Sequence, residues 1–329
     1  MNGSRLSGAG RNGEIQMSIT RNRTLLEKAD MQLSDLVTDG GELVPEQAQK
    51  FIRLLIKESV ILPMATVRPM KSKKQLIEKV RFNSRILRAA SEAVPLPSGD
   101  RVKPDTSKVE LDTKLFRGQV NLSDEVLQDN IEQGSFRQTV MELMGEAISR
   151  DIDEIGVQGD TASADPFLAQ FDGMLAAATS NLVDGGNNAL ASDDLKAAIK
   201  AMPTEFIRNK RRLRFLTSVD AETDYRDTLS QRDTVAGDKY LTEDAPIMYS
   251  GIPLVDVPLF PEDLGGGSDQ TNVILTDPKN LLFGFWRKIT IETDKDIEAG
   301  VLKIVASLRT DFKYMEETAV VKVHSVLVG

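Results

Sequence analysis

The longest regular pattern of apolar and polar positions lies in the middle of the chain. Phe136, Val140, Leu143, Met144, Ala147, Ile148, Ile152 and Ile155 recur at steps of three and four, which puts them on one face of an α-helix. The stripe predicts about six turns, roughly 35 Å. Ser135 and Gln138 stand at capping-box spacing before it, and Gly159-Asp160 ends it. A second stripe, Phe51, Ile52, Leu55, Ile56 and Val60, follows Pro45, a residue that a first helical turn tolerates, and stops at Pro63.

Between these stripes the period changes. Met64 to Pro69, Gln75 to Phe82 and Lys108 to Leu122 read as strands, and Val109, Leu111 and Leu115 fit strict alternation only in part. The loop between the last two strands holds Pro95, Pro97, Gly99 and Pro104, too punctuated for helix or central strand. A two-stranded ribbon is marginal by itself in water. It needs a surface, and a neighbouring copy of the chain is the natural one.

Beyond Asp160 the elements are shorter. Asp172-Gly173-Met174 reads as a turn, and Asn181 to Asn188 as a Gly/Asn loop at a boundary. Ser192 caps a helix through Ala201 that Pro203 terminates, Leu213 to Thr217 is a short buried strand, and Ser218 with Ala221 starts another helix. Residues 229–247 are polar and loop-like. Then come a Gly251-Ile252-Pro253 turn leading into Leu254-Val255, a tip at Gly265 to Ser268, and a buried strand from Val273 to Thr276. A helix start at Asp277-Pro278-Lys279-Asn280 and strands over Trp286 to Thr293 and Leu302 to Val328 complete the chain. No internal repeat is present, and the mixture is α+β.

Composition narrows the chemistry. With no cysteine there are no disulfides or thiolate metal sites, and with one histidine a zinc site would need mostly carboxylates. That histidine, His324, sits in an alternating apolar run and reads as structural. No phosphate-binding glycine loop and no Gly-x-Ser-x-Gly elbow occurs. No catalytic, cofactor or metal residue is therefore assigned. No run of apolar residues approaches a membrane span. The net charge of −9 argues against general nucleic-acid coating.

Local charge is uneven. Residues 1–40 are rich in Gly, Ser, Asn and Arg and read as an arm ordered by partners, with a short helix around Leu25 to Leu36. Arg208 to Arg214 is a basic run that either touches DNA or forms a charged helix-to-strand connection. Arg68, Lys71, Lys73, Lys74, Lys79, Arg81, Arg85 and Arg88 make the ribbon basic, while Asp151, Asp153, Glu154 and Asp160 gather at the end of the long helix. These two sets are the candidate contact residues between copies: a basic ribbon lying on an acidic neighbour.

Taken in order, the blocks resemble the major capsid proteins of tailed bacteriophages from about Gly40 to Gly329. The resemblance rests on Gly40-Gly41-Glu42-Leu43-Val44-Pro45 after an arm, the extended hairpin, Ser123-Asp124-Glu125 with the long helix, and Phe171-Asp172-Gly173-Met174. Gly251-Ile252-Pro253-Leu254, Asp277-Pro278-Lys279-Asn280 and the Tyr314 to Val323 region add to it. It implies an arm over 1–43, a helix over 44–63, an extended hairpin over 64–122, a peripheral domain over 123–184 and 302–329 with a spine helix, and an axial domain over 185–301. It further implies a non-enzymatic subunit of an icosahedral shell, without cofactor and without membrane. Copies of itself would form pentamers and hexamers around phage double-stranded DNA held without sequence specificity. Separate scaffold, portal and decoration proteins are possible partners; the setting would be the virion, assembled in the host cytoplasm. The shell of a cellular cargo-packaging nanocompartment is the alternative of the same fold.

Overall fold

The long apolar stripe forms a helix, and two sheets are built beside it. The computed structural model describes residues 59–82, 85–89, 95, 97–123, 136–231, 246–267, 269–286 and 290–329. The arm, the stripe from Phe51 to Ile56, Ser135, and residues 232–245 lie outside the described residues. In chain order the elements begin with β1 (Thr66–Met70), β2 (Lys74–Arg81), β3 (Asp105–Asp112), β4 (Lys114–Ser123) and the long helix α1 (Phe136–Gln158). Next come α2 (Met174–Ala177), β5 (Leu182–Ala189), α3 (Ser192–Ala201), β6 (Arg214–Thr217) and α4 (Val219–Ser230). The remainder is β7 (Met248–Tyr249), β8 (Ile252–Asp256), β9 (Gln270–Thr276), β10 (Leu281–Trp286), β11 (Thr290–Asp296), β12 (Val301–Tyr314) and β13 (Val321–Leu327).

The first sheet is organised on β12, which pairs with β10, β11 and β4, while β1 extends it beyond β10. Ile304, Ala306, Leu308 and Phe312 alternate toward the core and meet Met144, Ile148, Ile152 and Ile155 of α1. Phe283 and Phe312 stack with ring centroids 5.0 Å apart. A Cβ at Gly156 would lie 2.9 Å from the Phe283 ring, so helix and sheet approach this closely only with glycine there. Leu143, on the predicted apolar stripe, is 58% exposed instead, at the edge of the buried face.

The second sheet runs β5-β13-β9-β6-β8-β7. Its central strand β9 is buried on both faces: Val273 and Leu275 join Phe215, Val321 and Val323 in a second core, whereas Ile274 and Leu216 face the first. This is why Val273 to Thr276 reads as an unbroken apolar run. Leu195 and Ala198 of α3 and Ala221, Tyr225 and Leu229 of α4 complete the second core. Ser218 caps α4, its Oγ accepting from the Ala221 N–H at 3.3 Å. At α3 the capping carboxylate is that of Asp194, which accepts from the Ala191 N–H at 2.9 Å, so Ser192 is the first helical residue and not the cap.

Four expected boundaries move. The run Lys108 to Leu122 is two strands: the chain turns at buried Thr113, whose N–H donates to Lys73 O at 3.0 Å, so β3 stays in the ribbon and β4 enters the first sheet. The Asn181 to Asn188 loop is strand β5, paired in parallel with β13. Its pairing uses backbone groups, and Gly185 sits where a Cβ would lie 3.1 Å from the His324 and Ser325 carbonyl oxygens. The helix expected to be stopped by Pro63 does not extend up to it: residues 60–65 are bend and turn. Finally, β13, expected beside the long helix, lies in the second sheet, and β10 and β11, expected in the 185–301 unit, lie in the first.

After α1 and α2 have carried the chain from β4 in the first sheet to β5 in the second, it crosses directly between the sheets twice, at Asp277–Asn280 and at residues 315–320. Asp277 accepts from the Lys279 N–H at 3.0 Å with Pro278 opening a single 3₁₀ turn. The side chain of Asn280 then joins the crossings, its Nδ2 donating to Glu316 O at 2.8 Å and its Oδ1 accepting from the Glu316 N–H at 2.7 Å. Met315 N–H donates to Asn280 O at 2.9 Å. Next to this pair, Glu317 accepts from the N–H groups of Thr179 and Ser180 at 2.8 and 2.7 Å and from both their hydroxyls. Burial pushes the Glu317 carboxyl up, but the donors on Ser180 and Thr179 outweigh it and hold it below the ordinary range.

Two outcomes follow for the soluble subunit. Asn280→Ala leaves the Glu316 N–H without its partner, while the Glu316 C=O keeps the Ala319 N–H at 3.2 Å, so the cost is about 1–3 kcal/mol for one unsatisfied group, measurable by denaturant unfolding. For Glu317 the folded pKa lies below the unfolded one, so its stabilisation is present above the unfolded value and lost as pH falls through the folded one. The melting temperature of the native chain should exceed that of Glu317→Gln at neutral pH, and the gap should close as pH falls below about 4.

Candidate subunit-contact surface

The ribbon β2–β3 pairs from Lys74↔Asp112 to Arg81↔Asp105. Because side chains alternate, its two faces differ. Gln75, Ile77, Lys79 and Arg81 are half-buried, while Leu76, Glu78, Val80 and Phe82 are exposed. At its base, Ile77 and Val109 pack on a small cluster of Met70, Leu111 and Leu282. Asp311, itself buried, accepts from the Asp112 N–H at 2.7 Å where the ribbon leaves the sheet.

The inward cations are committed to this same chain. Lys79 Nζ lies 3.2 Å from Glu316 Oε2, and Arg81 pairs with Glu205 and stands 3.6 Å from Glu316. The Arg81 guanidinium also lies 5.2 Å from the centre of the Phe206 ring. Burial pushes the Glu316 carboxyl up, but Thr318, Lys79 and Arg81 hold it below its usual range. Lys74 reaches Glu110 at 2.9 Å and Asp112 at 3.8 Å within the ribbon. Arg68, Lys71, Lys73, Arg85 and Arg88 are exposed. The ribbon thus does find a surface on its own chain, contrary to the expectation that only a neighbour offers one.

The face it turns outward is mixed: an apolar stripe is interrupted by the exposed pairs Lys108–Glu78 at 3.0 Å and Lys74–Glu110 at 2.9 Å. Leu76 is 56%, Val80 66% and Phe82 50% exposed, and Ile86 and Leu87 follow on the loop. The period-two pattern from Gln75 to Phe82 contains this stripe; counting charges conceals it.

The four acids do not form one patch. Asp151 and Asp160 are exposed and Glu154 is half-buried, but Asp153 is buried beneath residues 59–62. Its carboxylate accepts from Ser59 Oγ at 2.6 Å and from the Val60 N–H at 2.9 Å, while Ser59 Oγ accepts from the Leu62 N–H at 2.9 Å. Burial raises the Asp153 carboxyl above its ordinary value, against these hydrogen bonds. Asp153 is therefore corrected from a contact residue to an internal anchor.

His324 Nδ1 lies 2.9 Å from Ser325 Oγ and 3.7 Å from Asp184 Oδ1. Both neighbours share one nitrogen, so the ring cannot relay a proton from the hydroxyl to a carboxylate on its far side. Among the described residues no group of three metal-ligating side chains is present, and no described helix is long and apolar enough to cross a membrane.

The fold, a long helix on a long-stranded sheet, a second sheet and a projecting ribbon, is shared as a whole with phage capsid structures. The capsid protein in the satellite phage P4 procapsid with its size determination protein is similar over 95% of this chain and 98% of that chain, with a TM-score of 0.66 and 14% identity. The capsid of a GTA particle matches over 82% of this chain and 90% of its own, with a TM-score of 0.60 and 15% identity. The SrpI encapsulin of Synechococcus elongatus PCC 7942 matches over 81% and 86%, with a TM-score of 0.56 and 12% identity. These likenesses establish the fold.

The chain belongs to the phage capsid family, which it matches over residues 40–325. It is 38% identical over 310 residues to a Bacillus subtilis (strain 168) protein named as a prophage capsid protein, YqbE, covering 93% of this chain and 99% of that one. The family and this relative favour a phage capsid protein over a nanocompartment shell.

The ribbon geometry separates two kinds of lysine. Lys79→Glu, which sets a carboxylate against Glu316, should lower the melting temperature of the isolated subunit. Lys71→Glu with Lys73→Glu, both exposed, should leave it within experimental error. Differential scanning calorimetry of the unassembled protein distinguishes them.

Proposed function

We propose that the chain is the shell-forming subunit of an icosahedral capsid, associating as pentamers and hexamers and enclosing double-stranded phage DNA without reading its sequence. The observation that carries this is the outward stripe Leu76, Val80 and Phe82 on a ribbon whose inward charges are already paired. Exposed apolar surface on an edge-rich ribbon is a contact surface. In this reading the ribbon lies on a neighbouring copy chiefly through the stripe. Arg68, Lys71, Lys73, Arg85 and Arg88 act as its charged margin, and Asp151, Glu154 and Asp160 as the opposing acids. Helix α1 is the spine of the peripheral domain, built on the first sheet. The second sheet, with α3 and α4, is the axial domain around the symmetry axes.

The subunit performs no catalysis in this scheme. Assembly takes place in the host cytoplasm, with a separate scaffold, portal or decoration protein as further partners, and the product is the virion shell. The Arg208 to Arg212 turn is exposed, with Arg212 Nε 3.0 Å from Asp277. It serves first as a charged connection between α3 and β6.

Electron microscopy and sedimentation of the expressed protein, with its scaffold where one is required, should show closed shells or capsomers. Replacing Leu76, Val80 and Phe82 together by Ser should abolish them while leaving the circular dichroism of the subunit unchanged. A native chain that stays a compact monomer under all these conditions contradicts the proposal.

A further inference from the structure

Between α1 and the first sheet lies a cavity of about 180 Å³. Phe116, Ile148, Ile152, Ile155, Phe167 and Leu308 give it apolar walls. The exposed Asp151, the buried Thr310, and residues 117–118 of β4 complete the lining. Thr310 is 1% exposed, and its Oγ1 has no hydrogen-bond partner. Buried hydroxyls are rarely left unpaired. An apolar space of about 150 Å³ accepts a benzene-sized group, so this one accepts a branched aliphatic side chain.

Among the described residues two large apolar side chains stand almost wholly in solvent, Leu87 at 83% and Ile297 at 86% exposure. Leu87 lies between Arg85 and Arg88, and Ile297 between Asp296 and Glu298. The Arg117 Cβ leaves β4 on the face opposite Phe116 and Gly118, so the charge at the mouth is that of Asp151. Two acids brought beside this exposed carboxylate would repel it and two guanidinium groups would attract it; desolvation, which pushes the carboxyl upward against the pull of Arg150, works in the same direction. Residues 85–89 belong to no strand or helix, so a carbonyl of this segment is available to accept from Thr310.

We propose that Leu87 of one copy inserts into this cavity of a second copy, with Arg85 and Arg88 beside Asp151 and a backbone carbonyl of the inserted loop on the Thr310 hydroxyl. The inference rests on the ribbon lying on a neighbour, and it adds the site that receives it. The ribbon tip becomes an anchor with one socket, while the stripe behind it covers the surface between.

The chain contains no cysteine, so introduced pairs report contact without background. Shells of the double variant Leu87→Cys, Asp151→Cys, oxidised and run on a non-reducing gel, should give a ladder of covalent multimers. Either single variant should stay monomeric, as should the pair Ile297→Cys, Asp151→Cys. Leu87→Ala should lower the melting temperature of assembled shells by several degrees and leave that of the unassembled subunit unchanged. Normal shells with no ladder from the first pair, a ladder from the Ile297 pair instead, or Leu87→Ala shells of native stability overturn the anchor alone. A native chain that forms no shells overturns the ribbon reading and the anchor with it.

Discussion

The two crossings between the sheets are the constraint on which the rest of the molecule depends. Strand β12 follows the long helix, yet its continuation β13 stands in the other sheet, and β9 passes to β10 in the opposite sense. Two chain segments that leave their sheets together each expose backbone groups that no ladder can pair. Asn280 resolves this because its amide carries one donor and one acceptor, like a peptide unit, and meets both backbone groups of Glu316. Met315, Glu316 and Glu317 then form a hub. Met315 meets the Asn280 carbonyl, Glu316 receives Lys79 and Arg81 of the ribbon, and Glu317 binds residues 179–180 ahead of β5. The relative placement of both sheets and the direction of the ribbon are thus fixed within three residues.

That convergence changes what the ribbon's charges accomplish. Partly exposed ion pairs contribute about 0–1 kcal/mol each, too little to hold a ribbon by energy alone. Their effect here is orientation. Lys79 and Arg81 turn one face toward Glu316 and Glu205, and strict alternation then turns Leu76, Val80 and Phe82 away. A ribbon held in this attitude before it meets a partner has less freedom to lose on binding.

How legible the chain was depends on whether side chains or backbone determine an element. Helix α1, β9 and β12 were readable because their burial is carried by apolar side chains at regular spacing. Strand β5 was not, because its ladder with β13 is interrupted by a bulge at Gly185, Gly186 and Asn187, with φ of +69° at Gly186 and +56° at Asn187. The break at Thr113 left a trace: Leu111 and Thr113 point into the protein, after which Phe116, Val120 and Leu122 take the buried phase. Leu115, 49% exposed, is the residue that refused the pattern. The proposed contact surface was half legible. Its basic character stood in the composition, but composition does not say which face of a strand each cation occupies. The burial of Asp153 depended on Ser59, which is distant in sequence and invisible to any local pattern.

The size of the outward stripe sets the character of association. Fully burying a large aliphatic or aromatic side chain is worth about 1.5–3 kcal/mol, and Leu76, Val80 and Phe82 have only part of their surface left to bury. One ribbon contact therefore supplies on the order of a few kcal/mol, less than the cost of fixing two free molecules together. Two copies joined this way would separate readily. In a closed ring each subunit both gives and receives such a contact, and the last one formed joins partners already held in place, so the orientational cost is not met again. A surface too weak to hold a dimer is then sufficient for a closed assembly. A much stickier stripe would instead hold misdirected pairs before a ring could close.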